Sequence, residues 1–390
     1  MMLNRPVWVE INLDNLAHNI SEVRRVTRDD AKVTAVIKAD GYGHGAVVIA
    51  QILLENGADR LAVATLTEAL QLRKSYPETE ILVLGYTEEP SIHLAIENRL
   101  IQTIYTYQQA VEFNEISKKM NQTLKVHIKL DTGMTRLGMM PETETIEVIK
   151  KIMSLDNLYV EGMYTHFARA DEYNKEATQK QVSNFEFVRQ GLESEGVTLD
   201  IYHVSNSASI IDLPEYNYDM VRAGIMLYGL YPSDEVKRDD VKLKEVMSLH
   251  TKISRVQEVS KSVGISYGHK YVTEESQTIG TLPIGYADGF SRSLTFKAEA
   301  IIKGKNKIVP VIGRICMDQC MIDVTDIDVE IGDEIILFGE DMDQRISIDD
   351  IASHLNTINY EVVCMINKRV PRVYTKSGEV VKIIDYIMAL

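Results

Sequence analysis

Residues 35–45 read AVIKADGYGHG, an apolar, β-branched run that stops at Lys38 and gives way at once to a glycine-rich turn. The next residues, GAVVIAQILLENG, space their apolar side chains as a helix does. A strand, a turn and a helix in this order form one β/α unit. On its own, a lysine in such a place is usually a surface residue whose alkyl stem covers apolar neighbours. The rest of the chain therefore has to show whether Lys38 is more than that.

The same alternation continues from about residue 30 to residue 230. The candidate strands are Val33–Lys38, Leu61–Thr65, Ile81–Gly85, Ile101–Tyr105, Lys125–Leu130, Val160–His166, Ile201–Asn206 and Met220–Leu227. Eight strands separated by helical segments predict an α/β protein with a (β/α)8 barrel. A doubly wound open sheet also fits this pattern, although such sheets usually have fewer strands and no GxGxxG motif follows the first strand.

After residue 240 the helical spacing fades, and β-like runs such as QTIGTLPIGY and KIVPVIGR follow one another with short polar turns. This pattern predicts a mostly antiparallel β domain. The stretch SIDDIASHL predicts one short helix with Ser347 as its N-cap. We therefore predict two domains, 1–240 and 241–390, which meet in the charged segment KRDDVKLK.

Composition and charge exclude several classes of protein. The chain has 390 residues, of which 45% are hydrophobic and 25% charged, as in ordinary globular proteins. A net charge of −15 argues against a broad nucleic-acid surface. No signal-peptide pattern and no apolar run of membrane-spanning length is present, so we expect a cytoplasmic protein without a membrane partner. Cys316 and Cys320 lack a second Cys/His pair, which favours buried thiols over a metal site.

Polar side chains recur at the predicted ends of the barrel strands, where active sites of this fold lie. They are Lys38, Lys129, Arg136, His166, Asn206, Ser207 and Arg222. Arg222 fits less well, because it lies near the start of its predicted strand. The small residues in SNSAS and RAGI would let backbone N–H groups approach a phosphate. A lysine opposite a phosphate site suggests pyridoxal 5'-phosphate (PLP), because a neutral amine can form a Schiff base with it.

The stretch AVIKADGYGHG is similar to the PLP-lysine motif of alanine racemases. The resemblance continues, in the family's order and over nearly the whole chain, through KLDTGMTRLGM, GMYTHFA, HVSNSAS, MVRAGIMLYG, GISYGHKY, LPIGYADGF, IGRICMDQCMIDVT and NYEVVCMINKRVPRVY. The resemblance implies a PLP-binding barrel followed by a β domain. It also implies a homodimer in which the partner's β domain completes each active site, and interconversion of L- and D-alanine for peptidoglycan.

The resemblance assigns four residues to catalysis. Lys38 corresponds to the Schiff-base lysine, which also serves as the base for the D-isomer. Tyr267 corresponds to the base for the L-isomer and comes from the other subunit. His166 resembles the residue that supports this tyrosine, and Arg222 the one behind it. Arg222 also corresponds to the arginine that faces the ring nitrogen of PLP, which implies an unprotonated nitrogen and a weaker electron sink.

Further residues match binding positions of the family. Arg136 resembles the residue that contacts the cofactor's phenolic oxygen and the substrate carboxylate, and Lys129 resembles a lysine that is often carbamylated. The phosphate positions correspond to Tyr42, Asn206, Ser207, Gly224, Ile225 and Tyr360. Met317 and Asp318 match a loop that reaches the partner's site, and Tyr286 matches a residue that narrows the entrance.

Other functions stay open at the level of the sequence. A pocket walled by Tyr267, Tyr360 and Met317 would favour a methyl group, but an apolar site separates one methylene by only about 1–3 kcal/mol. Broad-specificity or serine racemases therefore remain alternatives. A decarboxylase of the same fold is a third, although it would lack a base like Tyr267. A PLP-handling protein without enzymatic activity would consist of a barrel alone.

Overall fold

The computed structural model describes residues 4–388, so the first three and last two residues of the predicted ranges 1–240 and 241–390 lie outside it. The described residues form two compact units. We call residues 16–41 and 45–244 the barrel unit, and residues 4–15, 42–44 and 245–388 the β unit. The change at residues 244 and 245 falls close to the predicted boundary, whereas residues 4–15 belong to the β unit.

The barrel unit contains a nearly closed sheet of eight parallel strands, in which the first seven pair with their chain neighbours and the eighth pairs with the first. The strands are Lys32–Val36, Arg60–Val63, Ile81–Val83, Ile101–Ile104, Leu124–Lys129, Leu158–Tyr164, Ile201–His203 and Met220–Ala223. The predicted (β/α)8 barrel is confirmed. Many of these strands are rich in Val, Ile and Leu and buried, as parallel strands are when both faces are covered.

Helices alternate with the barrel strands. They are Leu13–Val26, Ala46–Glu55, Leu66–Ser75, Ile92–Glu97, Tyr107–Lys119, Thr143–Met153, Glu176–Ser194 and Ser207–Asp212. Short 3-10 turns lie at Glu89–Ser91, Pro214–Tyr216 and Ile225–Tyr228. Helix Leu66–Ser75 begins with a capping box in which Thr65 and Glu68 bond each other's backbone N–H groups.

All eight predicted strands run past the observed ends, by one to four residues. The first stops at Val36 and not at Lys38, and the last stops at Ala223 and not at Leu227. The apolar run after Ala223 continues as a buried 3-10 turn, and apolar character alone does not distinguish a turn from a strand. Arg222 therefore lies at the carboxyl end of its strand, and its predicted position near the start was wrong.

The β unit contains a sheet of eleven strands and a separate two-stranded hairpin, Gly264–Ile265 with Tyr271–Val272. The eleven strands are Val7–Asn12, Met247–Lys252, Arg255–Val259, Gln277–Leu282, Glu299–Ile302, Lys307–Ile312, Cys320–Asp323, Glu334–Asp341, Gln344–Ile346, Arg372–Lys376 and Glu379–Ile384. Most pairs are antiparallel, as predicted, and only Val7–Asn12 with Arg372–Lys376 is parallel among the described pairs of this unit.

Short helical segments complete the β unit. Helix Ile348–Leu355 is capped by Ser347, whose hydroxyl accepts the Asp350 N–H at 3.0 Å, as predicted. A second helix, Asn359–Met365, was not predicted. The β unit also has three 3-10 turns, Tyr267–His269, Tyr286–Asp288 and Arg292–Leu294. The first two begin with the candidate site residues Tyr267 and Tyr286.

Candidate active site

Lys38 opens a turn whose backbone is left-handed. The φ angles from Ala39 to Tyr42 lie between 52° and 63°, although only one of these four residues is glycine. A left-handed non-glycine residue costs about 1–3 kcal/mol and persists only where its surroundings fix it. Here the Ala39 N–H donates to Glu68 Oε1 at 2.7 Å, and Asp40 Oδ1 accepts the Ala46 N–H at 2.9 Å. The backbone next to Lys38 is therefore strained, and these hydrogen bonds hold it in its conformation.

The glycines of the turn are needed for close packing. A Cβ at Gly41 would lie 2.4 Å from Ile49 Cδ1, and one at Gly43 would lie 2.5 Å from the Val363 oxygen. Both glycines also have positive φ angles. The close packing and the positive φ angles of the turn therefore require glycine at positions 41 and 43.

Arg222 is a buried cation surrounded by acceptors. Its Nη1 lies 2.8 Å from His203 Nδ1, and Nη2 donates to the carbonyl oxygens of Thr165 at 2.8 Å and Val204 at 3.1 Å. Nη2 also lies 3.4 Å from His166 Nδ1. Burial lowers the pKa of Arg222 to about 10, so it stays charged at neutral pH. Its Nε–H donates to none of the described residues, which leaves one donor for a ligand.

Lys129 adds a second cation near Arg222 at this end of the barrel. Lys129 Nζ and Arg222 Cζ lie 5.4 Å and 5.3 Å from the centroid of the Tyr164 ring. Burial first, and then the charges of Arg222 and Arg136, lower the pKa of Lys129 to about 8. Burial, with Arg222 and Arg136 next, also holds the pKa of His166 well below its ordinary value, so this imidazole is neutral.

The loop after the fifth barrel strand fixes the backbone of Arg136. The carboxylate of Asp131 accepts the N–H groups of Gly133, Thr135 and Arg136 at 3.1, 2.9 and 2.8 Å. Although burial alone would raise it, these bonds lower the pKa of Asp131. The loop returns so closely that a Cβ at Gly138 would lie 2.3 Å from the Asp131 nitrogen. The Arg136 side chain itself is exposed.

Backbone N–H groups gather where the seventh and eighth strands end. Asn206 caps helix Ser207–Asp212, with Oδ1 accepting the Ser209 N–H at 3.2 Å. The Ser207 hydroxyl accepts the Gly224 N–H at 2.9 Å, which joins the helix start to the turn that begins at Ile225. The first N–H groups of a helix or turn have no partner within it and are suited to bind an anion.

The β unit brings three predicted residues onto neighbouring loops. The side chains of Tyr267, Met317 and Tyr286 are 67%, 53% and 41% exposed. Residues 286–287 donate their N–H groups to the carbonyl oxygens of 316–317, both at 3.0 Å. The loop of Tyr267 is held by Ser266, whose hydroxyl donates to the Arg314 oxygen at 2.6 Å. The loops of Tyr267 and Met317 border a groove of about 750 Å³.

Two aromatic residues of the predicted phosphate set also lie together in the β unit. The rings of Tyr42 and Tyr360 have centroids 6.2 Å apart. Tyr42 is buried, and burial raises the pKa of its phenol. Two residues more than three hundred positions apart in the chain are thus neighbours.

Sequence reasoning missed the centre that fixes the loop of Tyr286. Asp288 is fully buried and receives Arg5 through both carboxylate oxygens, at 2.5 and 2.7 Å. Arg369 lies 3.1 Å from the same carboxylate and 2.9 Å from Asp318. The Gly285 N–H donates to Asp288 at 3.0 Å. An acidic residue inside the glycine-rich IGYADGF was the available signal, but its partners are distant in sequence.

Comparisons with known proteins agree with this geometry. Residues 11–232 match the model of the alanine racemase N-terminal domain, and residues 246–374 match that of the alanine racemase C-terminal domain. The chain belongs to the alanine racemase family. Alanine racemases are isomerases that depend on PLP and work as homodimers.

Individual relatives resemble the chain over its full length. Alanine racemase 1 of Clostridium acetobutylicum is 47% identical over 98% of this chain and 99% of that protein. The solved alanine racemase of Clostridium difficile 630 is 45% identical, with a TM-score of 0.95 over 99% of this chain and 100% of that one. A Bacillus anthracis alanine racemase with bound L-Ala-P is 37% identical, with a TM-score of 0.94 over 100% of both chains.

Residues 4–388 contain neither a membrane-crossing helix nor a cluster of metal-binding side chains. None of the helices in this range combines the length and apolar character that a membrane crossing needs. No group of three or more His, Cys, Asp or Glu side chains in this range is placed to hold a metal ion. Cys320 is buried and Cys316 is partly buried.

Proposed function

We propose that this chain interconverts L-alanine and D-alanine with PLP, as its family membership supports. The observation that carries the proposal is the buried Arg222, whose Nη groups are all engaged while its Nε–H donates to no described residue. A buried arginine with one available donor suits the ring nitrogen of a heterocycle. Among the described residues, we find no comparable observation that favours a decarboxylase.

The donors in the barrel unit fit the groups that PLP presents. Lys38 would attach the aldehyde through its amine, and Arg222 would donate its Nε–H to the ring nitrogen. The Ser207 hydroxyl proton and the backbone N–H of Ile225 would donate to the phosphate. The Gly224 N–H already donates to the Ser207 hydroxyl, so its assignment to the phosphate rests on the resemblance. Bound PLP supplies an electron sink for negative charge on the substrate Cα. The assignments of Asn206, Tyr42 and Tyr360 to the phosphate rest on the resemblance and stay predictions.

Racemisation needs one base on each face of the substrate Cα. We assign Lys38 to one face and Tyr267 of a second copy to the other. A phenol with its ordinary pKa of about 10 is a reluctant base at neutral pH. Because the Nδ1 of the neutral His166 faces an Arg222 donor, its proton lies on Nε2 and can be donated to the phenol oxygen. Such a bond favours the phenolate.

Arg222 would also control the course of the reaction. Arginine offers no acceptor, so a ring nitrogen that faces it must accept a hydrogen bond and stay unprotonated. An unprotonated ring is a weaker electron sink, so charge on Cα would be short-lived. We expect this to limit transamination as a side reaction.

Lys129 is a candidate for carbamylation. A pKa of about 8 leaves about one tenth of its amines neutral at pH 7, far more than for an ordinary lysine. Only the neutral amine reacts with carbon dioxide. A carbamate there would place a negative charge among Arg136 and Arg222 and relieve the repulsion of these cations.

The substrate site would be completed by a second copy of the chain. Tyr267 and Met317 are large, exposed side chains on adjoining loops, a composition typical of surfaces that a partner covers. We propose a homodimer in which Tyr267, Tyr286, Met317 and Asp318 bound the substrate site of the partner, together with Arg136 there. A cytoplasmic location and a supply of D-alanine for peptidoglycan stay predictions.

The deciding experiment incubates PLP-loaded protein with L-alanine in deuterated water. We expect D-alanine, detected with D-amino-acid oxidase, and deuterium at Cα. Release of carbon dioxide without D-alanine would favour a decarboxylase, and equal rates on L-serine would favour a broad-specificity racemase. No exchange at Cα in loaded protein would reject the proposal.

A further inference from the structure

A line of hydrogen bonds connects Arg222 with Glu161 through two buried histidines. Arg222 Nη1 lies 2.8 Å from His203 Nδ1, and His203 Nε2 lies 2.8 Å from His127 Nδ1. His127 Nε2 in turn lies 2.8 Å from Glu161 Oε2. All four side chains are buried. They come from the fifth, sixth, seventh and eighth barrel strands, so only the folded barrel brings them together.

The two ends of this line fix the direction of every bond in it. Arginine has only donors, so His203 Nδ1 must accept and the ring proton lies on Nε2. That Nε2–H donates to His127 Nδ1, which places the proton of His127 on its own Nε2. The carboxylate of Glu161 has only acceptors, and it accepts the hydrogen bond from the His127 Nε2–H. Each imidazole therefore presents an acceptor on the side of Arg222.

Both imidazoles are neutral. Burial first, and then the charge of Arg222, hold the pKa of His203 well below its ordinary value. Burial lowers the pKa of His127 as well, although Glu161 opposes this. A charged His203 would carry a proton on Nδ1 and face Arg222 with a donor, so neutrality is a condition for the line.

The sixth strand is shaped to place these groups. Val126 pairs with Val160 and His127 pairs with Gly162, so Glu161 is the additional residue of a β-bulge. Bulges redirect a side chain and often lie near active sites. A Cβ at Gly162 would lie 2.6 Å from the Ile201 oxygen and 3.0 Å from His127 Cε1, and the first of these contacts is too close for a side chain. The additional residue, Glu161, supplies the carboxylate, and the absence of a side chain at Gly162 leaves space for the His127 ring. Both features serve the hydrogen bond between His127 and Glu161.

Glu161 is itself held in place. Arg60 bonds both of its oxygens, at 2.6 and 3.0 Å, and Lys125 bonds one at 2.8 Å. Glu80 lies 2.5 Å from both Arg60 and Lys125, which balances their charges. Although burial alone would raise it, hydrogen bonds from His127, Arg60 and Lys125 hold the pKa of Glu161 far below its ordinary value. The end of the line is a fixed carboxylate.

Arg222, by contrast, forms no ion pair with a carboxylate of the described residues. The carboxylate that its hydrogen bonds reach is Glu161, through the two histidines. We propose that Glu161 is a positioning residue for Arg222. Acting through His127 and His203, it keeps an acceptor in front of Nη1 and so leaves the Nε–H for the ring nitrogen of PLP. This inference rests on the proposed function, because it names what Arg222 is positioned for.

The first test measures the tautomers in cofactor-free protein by ¹⁵N NMR of labelled histidine. We expect His127 and His203 to be neutral, each with its proton on Nε2. A charged ring, or a proton on Nδ1 of either residue, overturns the inference. This measurement needs neither PLP nor racemase activity.

The second test compares variants that break the line with variants that keep it. His127→Leu breaks the line. The double variant Glu161→Met with Arg60→Met also breaks it, and replacing both residues avoids leaving one buried charge without its partner. His127→Gln keeps the direction, because its amide oxygen accepts from His203 and its NH2 group donates to Glu161. Lys125→Met is the matched control, since it removes a partner of Glu161 outside the line.

We expect both breaking variants to bind PLP about tenfold more weakly than the parent, the scale at which supporting residues affect a bound group. The ¹⁵N signal of the bound ring nitrogen should also move toward its protonated position. His127→Gln and Lys125→Met should match the parent in both measurements. If the breaking variants match the parent, or if His127→Gln and Lys125→Met weaken PLP binding equally, the inference is wrong and the proposed function is unaffected. A parent enzyme that makes no D-alanine contradicts the proposed function instead.

Discussion

The candidate site residues of the two units differ most in their exposure. In the barrel unit, Arg222 and Lys129 are cations almost without contact to solvent, and their surroundings lower the pKa of both. In the β unit, Tyr267 and Met317 are more than half exposed on adjoining loops. Burial lets fixed charges act at full strength, whereas an exposed phenol gains that environment only when something covers it.

This difference teaches how the work is divided. The barrel unit holds groups that must not move, and it fixes them with hydrogen bonds made within the fold. The β unit carries exposed groups on loops, from which water is excluded only when a partner covers them. The following substitutions test that division.

The largest effect is expected from Tyr267→Phe. It removes one of the two bases but no packing, because the ring is exposed. We expect kcat to fall about 1,000-fold to 10,000-fold, the upper part of the range for a general base. PLP absorbance should be retained, whereas Lys38→Ala should lose the absorbance of the attached cofactor. Tyr271→Phe, in the same hairpin, is the control, and an equal loss there would contradict the assignment.

A buried charge should matter far more to stability than an exposed one. Arg60→Met leaves Glu161 buried beside a missing partner, and we expect a loss of about 3–5 kcal/mol in the free energy of unfolding. Arg99→Met removes the exposed pair with Glu78 and should leave stability unchanged. Urea unfolding measures both. Similar losses for the two variants would show that burial is not the cause.

Lys129 predicts a pH dependence. Its folded pKa lies below its unfolded one, so the full cost of burying its charge applies below pH 8 and is relieved as pH rises from 8 toward 10.5. A lowering to about 8 corresponds to about 3 kcal/mol. In carbonate-free buffer, the parent should therefore gain stability relative to Lys129→Met across this range.

The control for this prediction adds bicarbonate. If Lys129 is carbamylated, bicarbonate should remove most of the difference at pH 7.5, and intact-mass analysis should find the adduct in the parent only. A stability difference that is flat with pH and insensitive to bicarbonate would show that Lys129 keeps an ordinary pKa.

The smallest effect in this series is expected from Arg222→Glu. A glutamate carboxylate can accept a hydrogen bond from a protonated ring nitrogen, which stabilises the protonated ring and strengthens the electron sink. We expect racemisation to fall about 100-fold, the scale for removing one electrostatic partner of the reacting charge. Transamination should appear, measured as pyruvate from alanine. A variant that retains PLP and racemises like the parent without forming pyruvate would refute the control that we assign to Arg222.

Much of this molecule followed from local patterns in the chain. The alternation of β-branched runs and helical segments predicted the barrel, because both periodicities are set by neighbouring residues. Polar residues at strand ends predicted Lys38, Lys129, His166 and Ser207 at one end of the barrel for the same reason. The largest error in a strand end occurred where an apolar run continued into a turn, as it does after Ala223.

Other features had no local signal. The left-handed turn at Ala39–Tyr42 depends on Glu68, nearly thirty residues later. Asp288 depends on Arg5, separated by 283 positions. The polar line from Arg222 to Glu161 was not predicted, because a lone histidine in an apolar strand is indistinguishable from any buried histidine until its partners are known.

By itself, the sequence determined the order of strands and helices, the glycines of the turn after Lys38 and membership of a family with known chemistry. These depend on the chemical identity and spacing of residues close together in the chain. Only the tertiary structure decided which nitrogen of His203 faces Arg222, how far burial shifts the pKa of Lys129, and that a bulge directs Glu161 toward His127. Protonation and hydrogen-bond direction depend on groups that the chain brings together from distant positions, and water is excluded from around them only in the folded state.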